Sequence, residues 1–171
     1  MEKVDKTLLM FEGTYEYLKD NVAYSQEEFV VFKSNENKSI TYRSEQLTRV
    51  GTGEFLKVNT EFIVNLKYVP YDVTVMKSLG MDVTIERYLI NHEKNLMTYI
   101  FSSENTSDED SYIEKELERN VPNKFHLVTP AFVSSVMFTF ANKFSAMGRN
   151  PYSMLKSNSD WQFNERIDDI P

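Results

Sequence analysis

Residues 55–68, FLKVNTEFIVNLKY, are the stretch that decides the fold. Apolar side chains occupy every second position of this stretch, with one threonine as the exception. The positions of this face are Leu56, Val58, Thr60, Phe62, Val64, Leu66 and Tyr68. The positions between them are mostly charged or amide side chains. This period of two residues is typical of a long β-strand with one face in a core and the other in water.

Shorter alternating runs lie before and after this strand, and polar turns separate them. The turns are at Asp20-Asn21, residues 35–38, Gly51-Thr52-Gly53, Gly80 and residues 91–95. They divide residues 8–101 into about seven strands. Connections of this length join antiparallel neighbours and are too short for crossover helices. The pattern predicts a mainly β fold, in which a curved antiparallel meander forms a half-barrel or a barrel.

The periodicity changes from that of a strand to that of a helix near residue 130. Thr129-Pro130 is typical of a helix start, and a glycine at position 148 fits a C-terminal cap. Between them the apolar residues Phe132, Val136 and Phe140 recur at helical spacing. We therefore predict one apolar helix over about residues 130–147, packed in or against the concave face of the sheet.

Two further segments complete the predicted domain of residues 1–171. Residues 102–111, SSENTSDEDS, are polar and acidic, and they predict a loop after the meander. Residues 160–170 resume an extended pattern around Trp161 and Phe163. The chain of 171 residues shows no internal repeat and no change of composition that marks a linker. Its length fits one domain with its own core.

The charge and the apolar segments exclude two classes of partner. The formal net charge is −7, and the 19 Lys and Arg residues are scattered. Proteins that bind nucleic acid usually carry a basic stripe, so we expect no nucleic-acid partner. No apolar stretch approaches the roughly 20 residues of a membrane helix, and the N-terminal apolar patch is too short for a signal peptide. We expect a cytoplasmic protein without a membrane span.

The residue types that carry most enzyme chemistry are sparse. The chain contains no cysteine, which excludes disulfides, thiolate metal sites and cysteine nucleophiles. His92 and His126 are isolated in the sequence, so we predict no metal site. The acidic run at residues 108–110 does not fit a calcium-binding loop, and the serines lack a Gly-x-Ser-x-Gly elbow. We predict no catalytic residue and no cofactor.

Arg87 stands out because it alternates in step with apolar side chains on its predicted strand. A guanidinium on a buried face must be paired. The simpler interpretation is a structural ion pair with a core carboxylate such as Glu12 or Glu16, or a position at the sheet rim where the arginine reaches water. The functional interpretation is an anchor for an anionic headgroup. We favour the simpler interpretation, because structural ion pairs also produce such sites.

Tyrosines on several strands suggest a surface for an amphipathic ligand, since a phenol combines an apolar ring with a hydroxyl group. Cross-strand packing is the ordinary role of such tyrosines. Together with apolar residues of the central strand and the helix, they form the predicted ligand-binding set. Its members are Tyr15, Tyr17, Phe62, Val64, Tyr68, Arg87, Tyr88, Phe132, Val136 and Phe140.

The combination of a meander over residues 11–101, the segment FHLVTPAF at residues 125–132 and the late Trp161 resembles a group of bacterial half-barrel families. These families are related to glycolipid-binding proteins and lipoprotein carriers. In them a strongly curved antiparallel sheet wraps a hydrophobic helix or a lipid-like ligand. The resemblance therefore implies a half-barrel fold and a lipid-like small molecule as partner.

Three functions follow as hypotheses. The first is a non-enzymatic binding protein that holds an amphipathic or lipid-like ligand in a barrel or half-barrel cavity. The second is a small enzyme, an isomerase or a hydrolase, that uses the same cavity with an acid–base side chain. The third is a protein-interaction domain whose core is filled by the helix, and it predicts an exposed apolar patch or the edge of a homodimer.

Overall fold

The protein is mainly β, with an eight-stranded antiparallel meander and one short helix. The computed structural model describes residues 7–105, 108–122, 125–141, 153–156 and 169–170. Each strand of the large sheet pairs with the next strand along the chain, in the order β1-β2-β3-β4-β5-β6-β7-β8. Within the described ranges β1 and β8 do not pair with each other, so the sheet is an open half-barrel rather than a closed barrel.

The first seven strands confirm the predicted meander. The strands of the large sheet are β1 (Thr7–Lys19), β2 (Val22–Ser34), β3 (Ser39–Arg49), β4 (Phe55–Asn65), β5 (Pro70–Leu79), β6 (Asp82–Asn91), β7 (Leu96–Asn105) and β8 (Asp108–Asn120). The predicted turns lie between these strands, except that Asn91 is the last residue of β6. Gly53 and Gly80 have φ angles of 90° and 58°, which explains why glycine occupies both turns.

The prediction of a loop over residues 102–111 is wrong. Strand β7 continues to Asn105, and β8 begins at Asp108 and runs antiparallel to it. Polar composition misled the prediction because β8 is an edge strand, and most of its described side chains are exposed. Glu114, Glu116 and Glu118 are all exposed. Charged side chains on an edge strand also prevent pairing with other chains.

The central strand β4 ends earlier than its sequence pattern predicts. Val58, Thr60, Phe62 and Val64 are buried as expected, but the strand stops at Asn65. The Asn65 Oδ1 atom accepts hydrogen bonds from the Lys67 and Val69 backbone N–H groups, at 2.8 and 3.2 Å. This local bonding favours a turn over a continued strand. Residues 66–69 therefore connect β4 to β5.

A second, smaller sheet follows the meander. It has the order β11-β10-β9 and consists of β9 (Phe125–Val128), β10 (Ser153–Lys156) and β11 (Asp169–Ile170), with β9 and β10 parallel. Neither β9 nor the parallel pairing was predicted from the sequence. Of the predicted extended segment 160–170, only the two residues of β11 lie within the described ranges.

The helix α1 (Val133–Ala141) confirms the centre of the predicted helix. Residues 142–147, the last third of the predicted helix, lie outside the described residues. The predicted start at Thr129-Pro130 is wrong by about one turn, since α1 begins at Val133. The reason is a tertiary contact, because the first backbone N–H groups of α1 find their acceptor on strand β2 rather than on a preceding threonine.

The core lies between α1, β9 and one side of the large sheet. We call this side the inner face and the opposite side the outer face. The strand register brings Tyr42, Phe62, Val73, Tyr88 and Tyr99 into one cross-strand row of the inner face. All five are at most 1% exposed. Val133 and Met137 of α1 and Leu127 of β9 belong to the same cluster.

Candidate binding groove

Three residues of the predicted ligand set are core residues. Phe62, Val64 and Tyr88 lie on the inner face and are 0% exposed. They belong to one buried cluster with Val133 and Met137 of α1. The helix therefore covers the surface that the sequence suggested for a ligand.

Three further members of the set meet where α1 begins. The rings of Tyr15 and Phe132 are 4.1 Å apart between centroids, and the Tyr17 hydroxyl donates a hydrogen bond to Glu27. Burial and this hydrogen bond raise the pKa of Tyr17 well above its ordinary value. Tyr17 also accepts a hydrogen bond from the Phe132 backbone N–H at 3.1 Å. These contacts hold α1 against β1 and β2.

Glu27 is the centre of this cluster, and it was not predicted. Its side chain is fully buried on β2. The Phe132 N–H donates to its Oε2 atom at 2.6 Å, and the Val133 N–H donates to its Oε1 atom at 3.0 Å. A carboxylate at a helix N-terminus satisfies backbone donors that have no partner within the helix, and it interacts favourably with the helix dipole.

The remaining apolar members of the set are dispersed. Tyr68 and Val136 are half-buried and pack against the core cluster. Tyr68 lies in the β4–β5 turn with a φ angle of 62°. Phe140 lies on α1, but its side chain is outside the described part of the structure. The described apolar members of the set thus lie in the core, against it or at the start of the helix.

Arg87 is on the outer face, not on the buried face of β6. Its Nε and Nη2 atoms donate to the two carboxylate oxygens of Asp72, at 3.1 and 2.7 Å. The hydrogen bond with Asp72 and its negative charge raise the pKa of Arg87. The structural ion pair predicted from the sequence is present, with Asp72 rather than Glu12 or Glu16 as the partner. A bidentate pair of this kind occupies the guanidinium.

The inner face of β5 and β6 instead carries a buried ion pair that the sequence did not reveal. The Lys77 Nζ atom lies 2.7 Å from the Glu86 Oε1 atom, and the two side chains are 5% and 1% exposed. The Tyr88 hydroxyl donates to the other oxygen of Glu86. Hydrogen bonds of this kind compensate the cost of removing two charges from water.

An open groove lies on the outer face of β1 to β5. Its volume is about 910 Å³, and we call it the larger groove. Four carboxylates line it: Glu12 of β1, Glu28 of β2, Glu45 of β3 and Glu61 of β4. Neutral side chains on the same face are Thr14, Val30, Asn59, Thr74 and Met76. These positions alternate with buried ones, as the pleat of each strand requires.

The larger groove has an excess of negative charge. Four carboxylates and the Arg43 guanidinium line it, a formal sum of −3. Arg43 pairs with Glu61 on the neighbouring strand, and Lys57 pairs with Glu45 at 2.7 Å. Within the described ranges, Glu12 and Glu28 have no cationic partner. The groove therefore favours a ligand that brings a positive charge or several hydrogen-bond donors.

A smaller groove of about 450 Å³ adjoins the larger one on the same face. Its apolar side chains are Phe32 of β2, Ile63 of β4 and Tyr71 of β5. Thr41 and Ser39 of β3 also line it. Arg43 lines both grooves. Sequence alternation indicates which of these side chains share a face, but the register between neighbouring strands decides which of them lie side by side in a groove.

Neither a metal site nor a known family explains this surface. The described residues contain no group of three or more His, Asp or Glu side chains that is placed to hold a metal ion. In the same residues no helix has the length and apolar character needed to span a membrane. Comparisons with protein-family models, with curated proteins and with solved structures find no match. The resemblance to half-barrel lipid carriers thus stays a hypothesis.

Proposed function

We propose that this protein is a non-enzymatic binding protein whose ligand lies in the larger groove on the outer face. The observation that carries the proposal is the groove itself, with its volume of about 910 Å³. Pockets for small molecules typically enclose about 300 to 1,000 Å³. Five consecutive strands of one sheet line the groove, so its shape is built into the fold rather than into a loop.

The side chains of the groove suit an amphipathic amine. Val30 and Met76 offer apolar contact, while the carboxylates accept hydrogen bonds and carry negative charge. Glu12 and Glu28 are the carboxylates without a cationic partner in the described residues, so they are the natural contacts of an ammonium group. The lipid-like ligand expected from the sequence becomes, in this proposal, one with a cationic headgroup.

Burial on the inner face supports the placement of the ligand outside the core. Phe62 and Val64 are 0% exposed and pack with α1, so a ligand in their place would have to displace the helix. Such a displacement would expose apolar surface at a cost of about 25 cal/mol per Å². The outer face requires no such rearrangement.

An NMR titration tests the proposal. Octylamine is added to the isotopically labelled protein, and octanoate of equal chain length serves as the control for charge. We expect octylamine to shift the backbone amide signals of the larger groove, such as those of Thr14, Glu28 and Asn59, and octanoate to leave them unchanged. The proposal is wrong if neither amphiphile shifts these signals, or if only residues of the inner face respond.

A matched pair of variants locates the site. Thr74→Phe fills the larger groove, whereas Thr98→Phe adds the same bulk to the outer face of β7, away from the groove. Both threonines are half-exposed and outward-facing. We expect Thr74→Phe to weaken octylamine binding about tenfold and Thr98→Phe to change it by less than about twofold. Equal weakening in both variants would contradict the proposed site.

A second candidate function is the homodimeric interaction domain, and the edge strand β1 favours it. Leu8, Leu9 and Met10 are 59%, 49% and 39% exposed, and no charge occurs from Thr7 to Phe11. An uncharged, exposed edge is open to strand pairing. The other edge, β8, carries several glutamates, so like charges disfavour its pairing with the acidic half of β1. The partner in this proposal is therefore the β1 strand of a second copy, in a two-fold arrangement.

Sedimentation at increasing protein concentration tests the homodimer. We expect a shift from monomer to dimer that Leu9→Lys abolishes, because a charge on the edge strand disfavours pairing. Leu18→Lys, at the far end of β1, is a control for a surface leucine, which is 57% exposed. A protein that stays monomeric at every concentration would exclude this function.

A further inference from the structure

We propose that the two grooves form one binding surface for an elongated ligand, and that Arg43 determines the orientation of this ligand. The inference rests on the proposed function of the larger groove and extends it. Arg43 lines the larger groove of about 910 Å³ and the smaller groove of about 450 Å³. Its side chain is 60% exposed and pairs with Glu61 of the neighbouring strand. A ligand that passes from one groove to the other must contact it.

The register of the strands places the grooves end to end along the strand direction. On β3 the outward positions are Glu45 in the larger groove, then Arg43, then Thr41 and Ser39 in the smaller groove. With a rise of about 3.3 Å per residue, the distance from Glu45 to Ser39 along the strand is roughly 20 Å. This length suits an extended chain rather than a compact molecule.

The two grooves differ in chemistry along this line. The larger groove carries the four carboxylates, whereas the smaller groove has Phe32, Ile63 and Tyr71 and no carboxylate among its described residues. An elongated amphipathic amine therefore matches the surface in one direction, with its ammonium group near Glu12 and Glu28 and its hydrocarbon chain on the aromatic and aliphatic side chains.

Arg43 enforces this direction through its charge and its stem. The guanidinium lies at the boundary of the grooves and repels an ammonium group from the smaller groove. Its pairing with Glu61 holds it in place on the sheet. The methylene groups of the stem provide apolar contact for the hydrocarbon chain that crosses them. Arg43 is thus a residue that sets specificity for both the shape and the polarity of the ligand.

Two amines with hydrocarbon chains of different length test whether a ligand occupies both grooves or the larger groove alone. Butylamine reaches only the larger groove, while octylamine extends into the smaller one. We expect Ile63→Asn to weaken octylamine binding about tenfold, through the loss of apolar contact, and to leave butylamine binding within about twofold. Ile100→Asn is the matched control, since Ile100 is half-exposed and outward-facing on β7. It is expected to leave both affinities unchanged.

The possible results are distinct. If the wild-type protein binds neither amine, the proposed function itself fails. The single extended surface is wrong if the wild-type protein binds octylamine and Ile63→Asn does not weaken this binding. It is also wrong if two octylamine molecules bind independently. In both cases the larger groove remains a binding site.

Orientation is measured with an octylamine that carries a nitroxide at the end of its chain. In the wild-type protein we expect paramagnetic broadening of the amide signals of Phe32, Thr41 and Ile63. In Arg43→Gln the guanidinium charge is absent, so we expect broadening also at Thr14 and Glu28. An unchanged pattern in Arg43→Gln would show that Arg43 does not orient the ligand.

Discussion

The side chain of Glu27 accepts hydrogen bonds from two distant parts of the chain. Its buried carboxylate accepts hydrogen bonds from the Phe132 and Val133 backbone N–H groups and from the Tyr17 hydroxyl. It lies on β2, 105 residues before Phe132. One side chain therefore links two strands of the meander to the start of the helix that covers the inner face.

Glu27→Gln removes the charge and one of the two acceptor oxygens while it keeps the size of the side chain. We expect the free energy of unfolding to fall by about 1 to 3 kcal/mol, because a buried backbone donor loses its charged acceptor. Urea denaturation measures the change. Glu28→Gln is the matched control, because its side chain is exposed on the outer face, and it should stay within about 0.5 kcal/mol of the parent. Equal stability of the two variants would contradict this role of Glu27.

His126 makes stability depend on pH. Its side chain on β9 is 5% exposed, and burial lowers its pKa from 6.5 to about 4. Between these two values the unfolded chain binds a proton at this site and the folded protein does not. Stability contributed by the neutral histidine is therefore present above pH 6.5 and is lost as the pH falls towards about 4.

Over this interval the loss attributable to His126 amounts to about 3 kcal/mol, at about 1.4 kcal/mol for each pKa unit. The measurement is the free energy of unfolding of the parent and of His126→Gln at a series of pH values. We expect the difference between the two proteins to shrink as the pH falls from 6.5 to about 4. A difference that stays constant over this range would exclude His126 as the cause.

At the scale of elements, the pairing of β1 with β2 depends on a glycine. Gly13 lies opposite Phe29, and a Cβ atom at position 13 would be 2.8 Å from the ring of Phe29. The ring is itself held by a stacked contact with Tyr15, at 5.2 Å between centroids, and by an edge contact with Phe11. The absence of a side chain on one strand thus makes room for an aromatic side chain on the next.

Gly13→Ala is expected to destabilise the protein by about 1 kcal/mol or more, because the added methyl group forces the ring of Phe29 from its place. Thermal or urea unfolding measures the effect. The double variant with Phe29→Leu should recover part of the loss, since leucine lacks the distal ring atoms. Gly51→Ala is the control, because no atom lies within 4 Å of its added Cβ. A Gly13→Ala protein as stable as Gly51→Ala would refute the steric argument.

At the scale of the whole molecule, the strand pairs join residues that are close in the sequence, whereas the helix contacts join residues that are far apart. Every strand of the large sheet pairs with its neighbour in the chain, so the meander is built from hairpins. The contacts of α1 with Glu27 span more than half of the chain. Contacts between distant residues require a large loop to close, and local hairpins do not.

We therefore expect the meander to form before α1 docks on it. Glu27→Gln should accelerate unfolding more than it slows folding, with a φ-value below about 0.3. Val58→Ala, in the β3–β4 hairpin, should have a higher φ-value. Stopped-flow measurements of folding and unfolding rates in urea test this order. A φ-value near 1 for Glu27→Gln would mean that the helix docks before the sheet is complete.

The sequence by itself determined the meander, because each strand and each turn can be recognised from a short stretch of residues. Alternation over residues 55–68 and glycine or asparagine at the turns predict strands, their order and their antiparallel pairing without knowledge of the rest of the chain. The same alternation shows which side chains share a face. The extent of β7 and β8 was mispredicted, since β8 is an edge strand rich in charged residues, with little apolar alternation to reveal it.

Only the tertiary structure decided which contacts the side chains on each face of the large sheet make. The start of α1 is set by Glu27, the partner of Arg87 is Asp72 on a neighbouring strand, and the pair of Lys77 with Glu86 forms across two strands. Such contacts depend on which strands meet and in which register, not on local pattern. The groove around Arg43 likewise is lined by side chains of five strands together, which no single strand encodes.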